Sequence, residues 1–450
     1  MTSPIFQEIQ GILGKVASWC SEAEIAFLLE TNLSNSIGFK KERSLQRSVT
    51  SNYMLTAIKE GKLARLSWVR SDMQSISNFI NQDTLNKAFH RGELATYELN
   101  SAHSLPFHEL KPPSESLQRY EIELQNQVVQ YYSILQKEWP SWEITTNFMA
   151  CQQQFLLLNT KGLQGGYEHT VERRQFVLFN KETGQICSPY RFRSESPEDV
   201  LSLLQERVQM NNQNRLPYSL IQKGQSAVIL SPWVVGTLCN ILSNIAKPQA
   251  AKLSNIVSLP EAFELSDDPT IGVGFHGVPF DHEGTPTQKK ILLKGSEIKN
   301  RLCDLKTAQK NGIAPSGNGF RRGSIMEPTA DVLPASRPSY LYLSPGKTKL
   351  QDIYQQEKNF VVFDTFIVPM DRFQDFSKKG SMFFLLGRLF KDRKPISEVI
   401  TRNYPNRSHI KASFETCSNF IDPTSILLSE GEFTHHGWFP YIFIPRVHWE

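Results

Sequence analysis

A change of pattern near the middle of the chain most constrains its fold. Before the polar segment QMNNQNRLPYS at 209–219, runs with helical spacing alternate with strand-like runs; after it, strand-like runs separated by Gly and Pro continue to the end. The chain of 450 residues also exceeds the ~250–300 residues at which a single core stops growing. We therefore predict an α+β protein: an N-terminal α/β domain over 1–215, with a mixed sheet and flanking helices, and a mostly β C-terminal domain over 220–450.

A proline-rich segment inside the first region is a candidate for a further subdivision. The segment SAHSLPFHELKPPSES at 101–116 carries Pro106, Pro112 and Pro113. Proline lacks a main-chain donor and interrupts both helices and central strands. The segment therefore predicts a linker, and a long helix is predicted directly after it, from about 116 to 138.

Composition and charge argue against several classes of protein. Hydrophobic residues make up 40% of the chain, and no run reaches the ~18 apolar residues of a membrane span. The beginning, MTSPIFQEIQ, lacks a basic and then apolar leader, so we expect a cytoplasmic protein. Six widely spaced cysteines without C-x-x-C are typical of thiols in a reducing compartment. The net charge of +4 lies in short clusters and gives no argument for nucleic-acid binding.

The stretch GVGFHGVPFDHEGTP at 272–286 contains two motifs that fail their structural tests. Its G-x-G-x-x-G (Gly272, Gly274, Gly277) would bind a dinucleotide only if a helix began there, but valine and proline follow and no helical pattern begins. Its His282-Glu283 pair would need a helix carrying a second histidine, which the following glycine and proline forbid. Cys239, in an apolar helix, is typical of a core residue. The residues alone therefore show a Gly-rich turn region and no self-sufficient active site.

The region from 267 to 323 resembles the TldD/TldE proteins, a family also called PmbA after its TldE member. In that family two aspartates lead into a Gly-rich stretch, then F-D-x-E-G-x-P-T, two strands and a T-G-N-x-x-R-like turn. The matching residues here are Asp281, Glu283, Gly284, Pro286 and Thr287 in the first motif, and Ser316, Gly317, Asn318 and Arg321 in the second. Weaker similarity covers most of the chain and thins past about 360.

The resemblance also identifies where a metal site would lie. TldD-type members carry His-Glu-x-x-x-His on a helix after a strand that matches SAVIL at 226–230. Aligned on Trp233 and Gly236, the two histidines and the glutamate fall on Asn240, Ile245 and Ile241. None of these side chains can replace its counterpart in ligating zinc or activating water, and Cys417 lies too early in the chain to replace the third ligand. The resemblance therefore implies a TldE-like chain with no cofactor of its own and with zinc in a partner subunit.

This resemblance implies a function in peptide processing. A TldE/PmbA-like chain would be the non-catalytic subunit, a pseudoenzyme, of a heteromeric zinc metallopeptidase that degrades or processes unfolded peptides in a cleft shared with a TldD-like subunit. One alternative is a stand-alone peptide-modifying or natural-product tailoring enzyme whose diverged site includes EGEFTHHGWFPYIF at 430–443. Another is a scaffold or a DNA-topology factor, as the older family label "modulator of DNA gyrase" suggests. Whether the chain is itself an enzyme, and whether it forms a homodimer without the partner, stays open.

The family-motif residues are candidates for shared architecture and for the peptide groove. These residues are Asp281, Glu283, Gly284, Pro286, Thr287, Gly317, Asn318 and Arg321. We predict that they set turn geometry and strand placement, because Asn and Gly suit positions with positive φ. A second hypothesis is that Arg321 or Arg322 binds the carboxylate of a peptide, because the planar guanidinium binds carboxylates with two parallel hydrogen bonds.

Overall fold

The computed structural model describes most of the chain. The described residues are 4–70, 80–91, 93–95, 98–101, 105–106, 114–182, 185–187, 190–191, 200–201, 204–205, 208, 218–220, 224–248, 258–270, 278–321, 333–367, 382–400, 410–411, 421, 423–434 and 437–449.

The described elements are six α-helices, one 3-10 helix (Asn244–Ala246) and 22 strands. The helices are α1 (Pro4–Ala17), α2 (Gln82–Arg91), α3 (Ser114–Glu138), α4 (Pro232–Ser243), α5 (Leu305–Asn311) and α6 (Leu350–Gln356). The strands are β1 (Glu22–Ile37), β2 (Arg43–Lys59), β3 (Lys62–Arg70), β4 (Glu93–Leu94), β5 (Glu143–Asn159), β6 (Gln164–Asn180), β7 (Gln185–Cys187), β8 (Tyr190–Arg191), β9 (Tyr218–Leu220), β10 (Gly224–Leu230), β11 (Glu264–Asp267), β12 (Lys290–Lys294), β13 (Glu297–Ile298), β14 (Gly319–Phe320), β15 (Ala335–Ser336), β16 (Leu341–Leu343), β17 (Phe360–Ile367), β18 (Met382–Lys391), β19 (Lys394–Ile400), β20 (Ile410–Lys411), β21 (Ile426–Thr434) and β22 (Gly437–Trp449).

The chain forms two compact units, each built from separate stretches of sequence. The first unit comprises Met1–Ser202, Pro269–Gln288 and Cys303–Ser339. The second unit comprises Leu203–Asp268, Lys289–Leu302 and Tyr340–Glu450. The boundary near residue 215 and the subdivision at 101–116 stay predictions. Two short stretches of the second half of the chain thus belong to the first unit.

The first unit is built on an eight-stranded sheet with the order β4-β3-β2-β1-β5-β6-β7, with β8 also paired to β6. Every pairing described in it is antiparallel. The mixture of parallel and antiparallel pairs expected for the N-terminal region is therefore wrong for this sheet. Short turns join β1 to β2, β2 to β3 and β5 to β6, and such turns produce antiparallel pairs. The neighbours β1 and β5 are far apart in sequence and are also antiparallel. The turn between β2 and β3 is Glu60-Gly61, both at positive φ, as a two-residue hairpin requires.

Helices and loops cover the two faces of this sheet with separate apolar clusters. Alternate residues of β1 point to opposite faces, so Ile25 and Phe27 pack with α1 and α2 while Ala26 and Leu28 face the other way. On that second face they join Phe280 and other apolar side chains from the later segments of the unit. The region of the family motifs is thereby positioned directly on the sheet.

The second unit is built on a twelve-stranded sheet with the main order β13-β12-β11-β16-β22-β10-β17-β18-β19-β9. It combines antiparallel pairs with parallel ones, such as β10 with β17 and β16 with β22. Helix α4 packs on β22 and β17 within a large apolar cluster. Helices combined with an antiparallel sheet in the first unit and a mixed sheet in the second confirm the α+β class. Among the described helices, none is long and apolar enough to cross a membrane.

Candidate functional site

The first family motif is a buried turn held by one carboxylate. Asp281 is fully buried, and its Oδ1 accepts hydrogen bonds from the main-chain N–H groups of Glu283 (3.0 Å) and Thr285 (2.9 Å). Its Oδ2 accepts a third from the N–H of Gly319 (2.7 Å), in the second motif. A carboxylate bonded to several N–H groups is a strong acceptor, and each of these buried donors would otherwise lack a partner. Asp281 therefore ties the two motifs together.

Two further carboxylates lie beside this turn and position helix α5. Asp304 is the N-cap of α5, where its Oδ1 accepts from the N–H of Thr307 at 2.7 Å. Oε2 of Glu283 accepts from the N–H of Leu305 at 2.7 Å. Burial, and then the nearby charge of Asp281, raise the pKa of the Glu283 carboxyl well above its usual value. Glu283 therefore favours its neutral form more than an exposed glutamate does.

His282, Arg321 and Glu24 complete the polar interior. Nδ1 of the buried His282 accepts a hydrogen bond from the N–H of Arg321 (2.9 Å), and its ring lies against Phe155 at 4.9 Å between centroids. Glu24, on β1, is 5% exposed. Its pKa is raised to about 7, mainly by burial; the positive charge of Arg321 lowers this pKa and the negative charge of Asp281 raises it. This places a titrating carboxyl near neutral pH inside the first unit.

Three glycines of this region have definite steric roles. Gly284 and Gly317 have φ values of 77° and 72°, in the left-handed region. A Cβ on Gly317 would lie 2.3 Å from the carbonyl oxygen of Pro286, and one on Gly319 would lie 2.0 Å from Oε2 of Glu283. The close approach of the two motifs therefore requires glycine at these positions, because a side chain would not fit between them.

The motif residues are thus mostly interior. Asp281, Glu283, Asn318 and Arg321 are at most 5% exposed, whereas Pro286 is exposed and Thr287 half-buried. Oγ of Ser316 donates to Oδ1 of Asn318 (2.7 Å), and Asn318 Nδ2 donates to the carbonyl of Arg337 (2.9 Å). These contacts fit the predicted roles in turn geometry; a peptide contact by these residues stays a prediction. The glycines of G-x-G-x-x-G, Arg322, Cys417 and His435-His436 lie outside the described residues.

The positions aligned with a zinc helix lie on α4, in the second unit, or directly after that helix. Ile241 and Ile245 are each 1% exposed and belong to the apolar cluster around α4. Asn240 is half-buried, and its carbonyl accepts from Oγ of Ser243 (2.7 Å) and Nδ2 of Asn244 (3.0 Å). No group of three or more His, Cys, Asp or Glu side chains suited to a metal occurs in the part of the chain that the structure describes.

Two residues of the site were not identified from the sequence. Asp304 precedes Leu305 with Thr307 three positions later, a pattern that could have marked a helix cap. Glu24 is a charged residue at a position of the apolar run AEIAFLLE that faces the interior. Its proximity to Arg321 depends on contacts between segments far apart in sequence, which leave no local signal.

Comparisons with known proteins point to one family. Residues 223–385 match the family model described as PmbA/TldA metallopeptidase C-terminal domain. A "Metalloprotease TldD homolog" from Buchnera aphidicola is 34% identical over 103 residues, which cover 22% of this chain and 20% of that protein. A "Metalloprotease" from Methanothermobacter thermautotrophicus is 32% identical over 101 residues, 22% of this chain and 20% of that protein. These alignments span about a fifth of the length of the curated relatives.

Solved structures show the same fold over nearly the whole chain. The crystal structure of TldE from Thermococcus kodakarensis superposes with a TM-score of 0.71 at 16% identity, covering 98% of this chain and 99% of that one. A putative modulator of DNA gyrase from Thermotoga maritima gives the same four values. At this identity the likeness establishes the fold.

Proposed function

We propose that this chain, which belongs to the TldD/TldE (PmbA) family, is a non-catalytic subunit that pairs with a TldD-type zinc peptidase. The observation that carries the proposal is the burial of Ile241 and Ile245 in the core around α4. A catalytic zinc site needs deprotonated N, O or S ligands directed at one point, with one position left open for water. Isoleucines packed in a core supply neither ligands nor room for water.

Zinc in such a complex would belong to the partner subunit. The partner's metal would polarise the scissile carbonyl and activate a water molecule. The names of the relatives from Buchnera and Methanothermobacter support a peptidase context, because both are metalloproteases by name. In this chain, α4 would then serve as a structural helix whose apolar side chains stabilise the second unit.

The substrate class we propose is unfolded peptide. An extended peptide can add a strand to a sheet edge, where main-chain hydrogen bonds give affinity with little sequence preference. Both sheets have terminal strands in the described part of the chain, β13 and β9 in the second unit and β4 and β7 in the first. These strands support a role in peptide binding that does not depend on metal ligands of this chain.

Co-expression with a TldD-type protein tests the proposal. The chain would carry an affinity tag, and bound zinc and cleavage of an unfolded peptide would be measured for the copurified complex and for the chain alone. We expect stoichiometric zinc and cleavage only in the complex, and loss of cleavage after treatment with a chelator. Stoichiometric zinc or cleavage in the chain alone would overturn the proposal and favour a stand-alone enzyme.

A further inference from the structure

The turn between β1 and β2 is an exposed basic segment of the first unit. It comprises residues 38–43, GFKKER, and we call it the basic turn. Two main-chain hydrogen bonds close it: the N–H of Gly38 donates to the carbonyl of Glu42 (3.0 Å), and the N–H of Lys41 donates to the carbonyl of Gly38 (2.9 Å). The pairing of β1 with β2 continues up to this turn. The basic turn therefore has a defined backbone conformation.

The side chains of the basic turn combine one aromatic ring with three cations. Phe39 is 43% exposed, and Lys40, Lys41 and Arg43 are also exposed. None of these three cations forms an ion pair in the described part of the chain. Three cations and one acid, Glu42, give the segment a net charge of +2. The turn thus presents positive charge around an apolar ring.

Two positions of the basic turn carry residues that turn geometry does not require. Lys41 has a φ of 62°, in the left-handed region, where glycine and asparagine are usual. Turns are rich in Gly, Asn, Asp and Ser, whereas Phe39 exposes part of an apolar ring to water. Backbone conformation therefore does not explain a cation and an aromatic ring at these positions, whereas a ligand for both of them would.

The connection between β3 and α2 is too short to cover the basic turn. Arg70, the last residue of β3, pairs with Ser51, which lies about 27 Å along β2 from Arg43. Ile80 packs in the apolar cluster that contains Phe27. The ten residues from Arg70 to Ile80 span at most ~36 Å. This length is less than the distance to the turn and back.

We propose that the basic turn binds an anionic lipid surface, with the ring of Phe39 at the level of the headgroups and Lys40, Lys41 and Arg43 among their phosphates. Aromatic side chains are enriched at membrane interfaces. Each Lys or Arg near an anionic leaflet increases binding about fivefold. With a net charge of +2 and one ring, the binding is weak and reversible. This inference goes beyond the proposed function and does not depend on it.

A lipid surface fits this turn better than a folded protein or a nucleic acid does. Stable protein interfaces bury ~800 Å² on each side around an apolar centre, more than a turn of this size supplies. Affinity for nucleic acid grows with the number of phosphates neutralised, and three cations beside one acid neutralise few. Lipid headgroups need no preformed pocket and adapt to a small exposed segment.

Co-sedimentation of the full chain with vesicles tests the proposal. The vesicles consist of phosphatidylcholine alone or of a two-to-one mixture of phosphatidylcholine and phosphatidylglycerol. At low salt, we expect the ratio of bound to free chain to be about tenfold higher with the anionic vesicles. High salt should remove most of this difference, because it screens the exposed charges.

Substitutions separate the basic turn from general attraction. Lys40→Glu, Lys41→Glu should weaken binding to anionic vesicles at least about tenfold. The matched control Lys391→Glu, Lys394→Glu makes the same charge change on the exposed turn between β18 and β19, and should alter binding less than about twofold. Phe39→Ser should weaken binding about fivefold, whereas Phe39→Trp should retain it, because indole also favours the interface. All these side chains are exposed, so circular dichroism should show an unchanged fold.

Other outcomes overturn the inference while leaving the proposed function intact. Equal binding to the two kinds of vesicle, or equal losses in the two double variants, would contradict a lipid site at this turn. Displacement from vesicles by inorganic phosphate at constant ionic strength would assign the cations to a free anion. Binding of a labelled DNA duplex that only Lys40→Glu, Lys41→Glu abolishes, without vesicle binding, would assign the turn to nucleic acid. Zinc content and peptide cleavage of the copurified complex report on the proposed function separately, because neither requires lipid.

Discussion

The polar turn of the first unit and the apolar core around α4 in the second unit differ in how their buried residues are held. In the first unit, fully buried Asp281 accepts hydrogen bonds from three main-chain N–H groups that belong to two separate turns. In the second, Ile241 is 1% exposed and its side chain belongs to the apolar cluster around α4. A buried acceptor specifies directions and partners, whereas an apolar core mainly specifies volume. The polar turn around Asp281 should therefore tolerate substitution less well than the apolar core around α4.

Removing the central acceptor is expected to have the largest effect. Asp281→Ala leaves the N–H groups of Glu283, Thr285 and Gly319 buried without their acceptor. Each such loss costs about 1–3 kcal/mol, so for three donors we expect at least about 3 kcal/mol less free energy of unfolding, measured by urea denaturation with tryptophan fluorescence. Asp83→Ala is the control, because its ion pair with Lys87 is exposed and should contribute under about 0.5 kcal/mol. If Asp281→Ala lowers the free energy of unfolding as little as Asp83→Ala does, the hydrogen bonds of Asp281 do not stabilise the first unit as expected.

Truncation in the apolar interior is expected to cost somewhat less. Ile241→Ala removes buried methyl groups and leaves a cavity, for an expected loss of about 2–4 kcal/mol in the free energy of unfolding. Asn240→Ala, at the half-buried neighbouring position, should cost less than about 1 kcal/mol. Urea denaturation of the two variants side by side measures the difference. Equal losses would show that Ile241 is not packed as tightly as its burial indicates.

The smallest expected effect concerns Glu24 and depends on pH. Its pKa in the folded chain is about 7, above its ordinary value of 4.5. A raised carboxyl pKa gives stability that is fully present below about 4.5 and lost as the pH rises through about 7. Glu24→Gln should therefore match the unsubstituted chain at pH 4 and exceed it at pH 8, by up to about 3 kcal/mol.

Thermal unfolding between pH 4 and 9 measures this difference. Glu297→Gln is the control, since its carboxylate is 68% exposed and should produce no comparable divergence. Parallel curves for Glu24→Gln and the unsubstituted chain would mean that the charge of Arg321 compensates fully for burial. In that case the polar interior of the first unit would be insensitive to the ionisation of Glu24.

Local features of the fold were predictable where local chemistry decides them. The hairpin at Glu60-Gly61 follows from a glycine, which suits positive φ, between two strand-like runs, and the start of α4 follows from a serine before Pro232. The apolar run AEIAFLLE at 23–30 is typical of a strand, but β1 continues to Ile37, because TNLSNSI pairs along its whole length with β2 and β5. Polar strand residues carry a weak signal when a neighbouring strand determines their conformation.

The candidate site was predictable in part. The resemblance identified the motif residues, and the structure shows which backbone groups they hold. The contributions of Glu24 and Asp304 depend on packing between stretches that are far apart in the chain. Periodicity and spacing report on neighbours in sequence, so a contact of this kind is invisible to them. The same limit explains why the discontinuous composition of the units was not predicted.

That discontinuity has a consequence for synthesis on the ribosome. The sheet face that carries Ala26, Leu28 and Phe155 packs against Phe280 and Phe320, which the ribosome adds long after the strands themselves. At ~5–20 residues per second, the segments that pack on this face are synthesised on the order of ten seconds after its strands. During that interval the nascent chain presents an apolar surface that a chaperone could shield. A fragment ending near residue 215 lacks Phe280 and Phe320 and leaves this apolar face exposed, so we expect the fragment to aggregate under conditions where the full chain does not.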